Sequence, residues 1–401
     1  MTDKALSGSL SGSEADVLRR SALRSDLTDE SLADARRLLG YDFRGARTTI
    51  EVSADNTRDY ASYIGSTNPL YRDPTRGHRS RWGRPLAPPT MVGTAIIAPG
   101  LRGVQWIYGG ARWRFHGLYG PGDVLSQSGR LVSAEEKSGR AASSMIMQKG
   151  VTQCRDAAGR LIVETEVYTM RIPRRGAGKG SLNYAPRAVS WTQGELDGFA
   201  ETLVSQEGLV RGREIRYWDD TSVGEEIPLV LCGPLRLSDI ALTRGTIVYG
   251  IVGGGREDNG GYGYMLDHYR AHPADSFVNP ETGVTEHPHR GHWEQYMADE
   301  VGMPGIYDIG YQRLGWLTRV VTDWMGDDAR LLSLEGWLRR PNIVGDVTWI
   351  GGRVVSKSGR GEEAIIECEL FGRNQHDEVT VTGKASIALL TRSVSKGGLG
   401  S

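Results

Sequence analysis

One feature limits the possible folds more than any other: the second half of the chain repeats the first. Gly122-Asp123-Val124 recurs as Gly345-Asp346-Val347, and Gly129-Arg130-Leu131-Val132 as Gly352-Arg353-Val354-Val355, in both cases 223 residues later (345 − 122 and 352 − 129). Ser138-Gly139-Arg140 recurs as Ser358-Gly359-Arg360 at an offset of 220, and Asn68-Pro69-Leu70-Tyr71 precedes its proline-rich segment as His292 precedes Met303-Pro304, at 221. Four matches in nearly one register point to two copies of one domain rather than to coincidence. Upstream the spacing changes. Tyr60–Gly65 resembles Tyr249–Gly254 at an offset of only 189, so about 30 extra residues lie between Gly255 and His292 in the second copy. A polar insertion of that length, directly ahead of a histidine, reads as a lid or pocket wall.

Local patterns fill in the copies. Residues 1–44 form a tail, rich in Ser and Gly, and a helix over Ser31–Leu39, with Thr28 as N-cap and Gly40 as stop. The first domain, 45–175, opens with a short strand from Thr48 and a helix over Thr57–Ile64, then a segment punctuated by Pro and Gly. Met91–Ala98 is expected as an apolar helix or strand, and four strands follow from Ala111, with turns at Gly120-Pro121-Gly122, Ser138-Gly139 and Ala158-Gly159. Residues 176–212 are a linker, 213–392 the second domain with its inserted loop 255–291, and 393–401 a flexible tail. A chain of 401 residues is long enough for two cores.

Charge and apolar content exclude some partners. Lys and Arg total 48 against 49 Asp and Glu, a net charge of -1, so nothing in the overall balance favours nucleic acid. No apolar run approaches the roughly 20 residues that span a bilayer, which favours a cytoplasmic location and no membrane partner. Cys154, Cys232 and Cys368 are far apart, odd in number and outside any metal-like spacing, and read as reduced structural residues.

Histidine, carboxylate, glycine and aromatic residues crowd together between His292 and Asp328, which makes this stretch the chemical centre. A loop carrying His292 and ending in Gly302-Met303-Pro304-Gly305 leads to a helix from about Ile309 to Trp324, marked by Ile309, Leu314, Leu317, Val320, Val321 and Trp324. A histidine beside a glycine-started helix can move a proton next to charge developing on a substrate oxygen. The cluster His287, His289 and His292 has no nearby Cys, and no metal is expected. Gly250–Gly255 follows an apolar run as a dinucleotide loop would. The next residues, REDNGGYGYM, cannot supply the apolar helix that such a loop must open.

The run Tyr63-Ile64-Gly65-Ser66-Thr67-Asn68-Pro69-Leu70-Tyr71, with Trp82-Gly83, Ala87-Pro88-Pro89-Thr90 and Pro121-Gly122-Asp123, resembles the N-terminal dehydratase domain of the MaoC-like family. His292 through Gly302, Pro304 and Gly310 resembles that family's segment of catalytic histidine, helical turn and helix-opening glycine. The resemblance covers about residues 45 to 392 and implies an α+β double hotdog: two tandem domains, each an antiparallel sheet wrapped around a central helix, paired as a pseudo-dimer. It further implies hydration of a 2-enoyl thioester, or the reverse dehydration, on a coenzyme A or carrier-protein ester, with no cofactor. Homo-oligomers of pseudo-dimers are compatible with it.

The departures from the family pattern assign the copies. Active members carry Gly-Asp-x-Asn-Pro-x-His; here Ser66 stands at the aspartate position and Tyr71 at the histidine position, so the first copy is expected to be catalytically silent. In the second copy the histidine survives as His292, but His287 stands where the aspartate belongs. Asp258 is then the expected partner of His292, with Glu257 and Asp275 as competitors, and the backbone N–H of Gly310 the expected holder of the thioester oxygen. Tyr71, Asn259, Tyr307 and Arg313 are assigned to substrate contact. Two rivals remain: a hotdog thioesterase, and a non-catalytic acyl-CoA-binding or partner subunit.

Overall fold

The structure is a computed structural model that describes residues 27–43, 49–94, 97–101, 104–138, 144–173, 182, 184–242, 277–279, 281–286, 288–359 and 364–392. Its helices are α1 (Asp29–Arg36), α2 (Ala54–Tyr63), α3 (Pro69–Arg72), α4 (Pro74–His78), α5 (Gln193–Ser205), α6 (Leu237–Leu242), α7 (Gln295–Glu300) and α8 (Gly310–Met325). The strands of the first copy are β1 (Asp42–Phe43), β2 (Thr49–Glu51), β3 (Gln105–Phe115), β4 (Val124–Lys137), β5 (Met145–Arg155) and β6 (Leu161–Ile172). Those that follow are β7 (Glu226–Cys232), β8 (Phe277–Val278), β9 (Thr285–Glu286), β10 (Arg330–Leu338), β11 (Thr348–Ser358), β12 (Ile365–Asn374) and β13 (Val379–Ala388).

Caps set the helix starts. Thr28 closes a capping box with Ser31 at the head of α1, and Ser53 does the same with Asn56 at α2, which therefore begins three residues ahead of the expected Thr57. Where a loop is expected after Gly65, prolines open the short helices α3 and α4.

The large sheet runs β1-β4-β5-β6-β3-β10-β13-β12-β11-β7, with β2 also on β4, so each half contributes the same strand order outward from the β3–β10 junction. Antiparallel pairing there sets Arg112 opposite Glu335. These two residues are 223 apart (335 − 112), the offset of the sequence repeat, so the pseudo-twofold axis passes between them. Their side chains bond across it, Arg112 Nε to Glu335 Oε2 at 2.8 Å. The turns repeat in detail. The Gly120 N–H donates to Asp123 Oδ2 at 2.9 Å, and the Ile343 N–H to Asp346 Oδ2 at the same distance. Gly122 and Gly345 take φ values of 96° and 94°, a left-handed conformation that glycine adopts without strain.

The same comparison relocates the insertion. Gly122 donates to the Val52 carbonyl and Gly345 to that of Leu235, so helix α6 is the counterpart of α2 at an offset of 183 rather than 189. The second copy therefore carries about 40 extra residues (223 − 183) between its first helix and its sheet. Tyr249–Gly254 and residues 255–276 of the insertion lie outside the described residues.

Instead of two separate cores, the largest buried cluster runs through both copies, from Tyr60, Trp113 and Val163 to Leu317, Ile350 and Ile387. The reason lies at the position equivalent to α8 in the first copy, residues 87–102. Pro88, Pro89, Gly93, Pro99 and Gly100 interrupt it. Met91–Ala98, expected as helix or strand, follows a 3-10 turn at Pro89–Met91 and is neither where described. Helix α8 then serves both halves, packing on β3 as well as on β7, β10, β11 and β13. Every residue from Tyr311 to Met325 is buried. A Cβ on Gly315 would come within 2.3 Å of Ile64 Cγ2, so glycine is what lets α2 and α8 cross closely.

Candidate active site

His292 ends a 3-10 turn, Pro288–His292, that leads into α7, at the place where the resemblance implies a helical turn and the local pattern a loop. Gly302, at φ 77°, stops α7; a Cβ there would meet the Leu182 carbonyl oxygen at 2.2 Å. The chain then folds back so that Tyr307 lies against the histidine. Their ring centroids are 4.2 Å apart, and Nδ1 of His292 lies 2.9 Å from the Tyr307 carbonyl oxygen. A carbonyl can only accept, so this contact puts the imidazole proton on Nδ1 and the basic lone pair on Nε2. Burial pushes the imidazole down to about 4, against the opposing pull of the Tyr307 carbonyl, and His292 is therefore neutral at physiological pH.

The segment after Tyr307 is held by paired bonds. The Asp308 N–H donates to the Asn342 carbonyl at 2.9 Å, and Asn342 N–H to Asp308 Oδ1 at 3.3 Å. Arg313 Nε lies 2.6 Å from Asp308 Oδ2 with both side chains buried. Burial raises the Asp308 carboxyl while the Arg313 guanidinium lowers it, and burial prevails. Two residues on, Gly310 begins α8. A Cβ on it would come within 2.1 Å of Leu338 Cδ1, so the helix start packs directly on β10.

The structure thus brings His292, Tyr307 and the Gly310 end of α8 into one continuous segment, with Arg313 tied beneath it through Asp308. Besides Asp308, Arg313 donates to the carbonyls of Thr380 and Arg340. Tyr71 is not part of this group. It lies at the opposite end of α8, which spans about 24 Å, where Thr322 and Asp323 face it. A shallow cleft opens there, lined by Tyr71, Trp82, Leu86, Phe115 and Asp327 among others. Asp258, Asn259, Glu257 and Asp275 lie outside the described residues, as does His287. Among the described residues no group of three His, Cys, Asp or Glu side chains is placed to hold a metal ion.

Reasoning from sequence missed Asp308, Asn342 and Asp323. Asp308 had a readable signal, a carboxylate two positions ahead of the helix start and five ahead of Arg313. Asn342 had none, because only the fold brings it there. Asp323, 4% exposed on α8, has its carboxyl pushed up to about 6 by burial, with Arg319 and Asn68 working against that shift.

Residues 37–165 match the family model described as the FAS1-like dehydratase domain region. A solved MaoC-like dehydratase superposes with a TM-score of 0.61 at 14% identity, covering 88% of this chain and 99% of that one. In fold the chain is similar to the solved MaoC-like dehydratases, and residues 37–165 match a dehydratase-region family model. A MaoC-domain dehydratase of Chloroflexus aurantiacus gives a TM-score of 0.53 at 12% identity, covering 88% of this chain and 96% of its own. A conserved hypothetical Mycobacterium tuberculosis protein with a double hotdog fold gives 0.52 at 15%, covering 87% and 96%. At these identities the MaoC-like likeness is one of fold. No curated protein matches the chain. The α+β double hotdog architecture is common to the chain and these structures, and among the described residues no helix is long and apolar enough to cross a membrane.

Proposed function

We propose that this MaoC-like chain hydrates a 2-enoyl thioester, or dehydrates the 3-hydroxyacyl product, with coenzyme A as the carrier and one site in its second copy. The observation that supports this most is the bond from His292 Nδ1 to the Tyr307 carbonyl at 2.9 Å, three residues ahead of the α8 start. A neutral Nε2 can take a proton from water as the water adds to the β carbon. The N–H groups of the first turn of α8, Gly310 foremost, would face the thioester oxygen, where charge gathers as the enolate forms. The α carbon must then receive a proton. Asp258 is proposed to orient the water and shuttle that proton, with Asn259 and Tyr307 contacting substrate. Arg313 would act from beneath the segment rather than by touching the acyl group.

The experiment is a panel of 2-enoyl-CoA esters of increasing chain length, with loss of the conjugated double bond and release of free thiol followed together. Hydration without thiol release is expected. Thiol release without hydration would replace this reading with the thioesterase one, and tight binding without either reaction would replace it with a binding subunit.

A further inference from the structure

Between Tyr307 and Gly310 the chain makes one commitment that acid-base chemistry at His292 does not itself require. It buries an ion pair, Asp308 with Arg313, both no more than 3% exposed. A buried pair of this kind is weak evidence of stabilisation, because desolvation consumes most of the attraction. It is better suited to fixing geometry. We infer that the Asp308–Arg313 pair is a positioning device that sets, through one short stretch of backbone, both the orientation of His292 and the start of α8. The inference rests on the proposed reading of His292 as the base.

Asp308 is covalently next to the carbonyl that orders the His292 ring, and two residues ahead of Gly310. Its carboxylate accepts from Arg313 Nη2 at 3.2 Å and from the Asn342 N–H at 3.3 Å, while its own N–H donates to Asn342. Flanking bonds extend the clamp: Val344 N–H donates to the Ile306 carbonyl at 2.9 Å, and Asn342 Nδ2 to Thr348 Oγ1 at 3.0 Å. Arg313 reaches the Thr380 carbonyl on β13 at 2.7 Å, so the guanidinium ties the first turn of α8 to the sheet. The peptide between Tyr307 and Asp308 therefore cannot rotate without breaking the Asp308 contacts, and that peptide carries the oxygen bonded to His292 Nδ1. Charge supports the arrangement as well. An acid at a helix N-terminus is favourable, but its negative charge would oppose an anionic substrate oxygen at the same helix end. Arg313 cancels that field while leaving the geometry in place.

The test is nitrogen NMR of the full chain labelled at histidine, with the His292 signals identified by their loss in His292→Gln. Wild type is expected to show His292 as a single Nδ1–H tautomer at neutral pH. Asp308→Asn keeps the side-chain acceptor but removes the charge; it is expected to give both tautomers, with kcat about 100-fold lower and KM little changed, as expected for a misplaced reacting group. The double variant Asp308→Asn with Arg313→Met leaves no lone buried charge and gives the same readout should the single variant not fold. If either folded variant keeps the single Nδ1–H tautomer, the inference is overturned, whatever happens to its rate. Should wild type hydrate no ester at all, the proposed function fails, but the tautomer measurement still decides the positioning role.

Discussion

Substitution of His292 by Ala is expected to lower kcat/KM for 2-enoyl-CoA hydration by about 1,000-fold, within the range by which a positioned acid or base accelerates proton transfer. The ring cannot be replaced by its neighbours, since Trp293 and Tyr307 have no group that is basic at neutral pH. The pH dependence carries a second expectation. Burial holds the His292 imidazole near 4, below its ordinary 6.5, so the basic form persists through the neutral range. The rate should stay flat as pH falls through about 6.5, the unperturbed histidine value, and decline only as it nears the lowered value. Stability follows the same sign. The unfolded chain takes up the His292 proton below about 6.5 while the folded chain resists it, so this group costs stability as pH falls through that window. Steady-state kinetics across pH, with unfolding midpoints measured on the same samples, checks both. An acid limb near 6.5, or wild-type rates in His292→Ala, would remove the residue from its role.

Removing Arg76 should have the largest effect on stability. Its guanidinium, on α4 of the first copy, pairs with Asp327 just past the end of α8, and neither residue is more than 9% exposed. Arg76→Ala leaves the Asp327 carboxylate buried near Asp328, at the negative end of a helix, with its chief counter-charge gone. The expected loss is about 3–5 kcal/mol, the usual cost of stranding one member of a buried pair. Burial already raises the Asp327 carboxyl and Arg76 works against that rise. Without Arg76 the folded-state value climbs further above the unfolded one, so the deficit grows as pH rises from acid toward neutral. Urea unfolding at pH 5 and pH 8 reads it. A change below about 1 kcal/mol, the scale of an exposed pair, would mean that the contact is open to solvent. Joint replacement of Arg76 by Met and Asp327 by Asn should recover most of the loss.

How much of this could be read from the sequence depended on the range of the interactions involved. Local determinants were legible: Thr28 caps α1, Gly40 follows it, and the apolar spacing of Ile309 to Trp324 marks α8 to within a residue at each end. The repeat at 223 was legible too, because the Gly-Asp turns at Gly122 and Gly345 need glycine in a left-handed conformation in both copies. The missing helix of the first copy was harder to see. Met91–Ala98 is apolar, and apolar content alone does not tell a helix from a covered loop; the prolines at 88, 89 and 99 carried the information. The shared core follows from that loss and could not be inferred from length. At the site, the place of His292 ahead of the α8 start was legible, but its tautomer was not. A backbone carbonyl fifteen residues away sets it, and a buried arginine holds that backbone. Arg313, assigned to substrate contact from the sequence, is paired with Asp308 in the fold.

Isothermal titration with a non-hydratable acyl-CoA thioether tests most directly whether the second copy alone carries the site. One molecule bound per chain is the expected result. Two molecules per chain would show that the first copy has kept a site of its own, and no binding at all would contradict an acyl-CoA site in either.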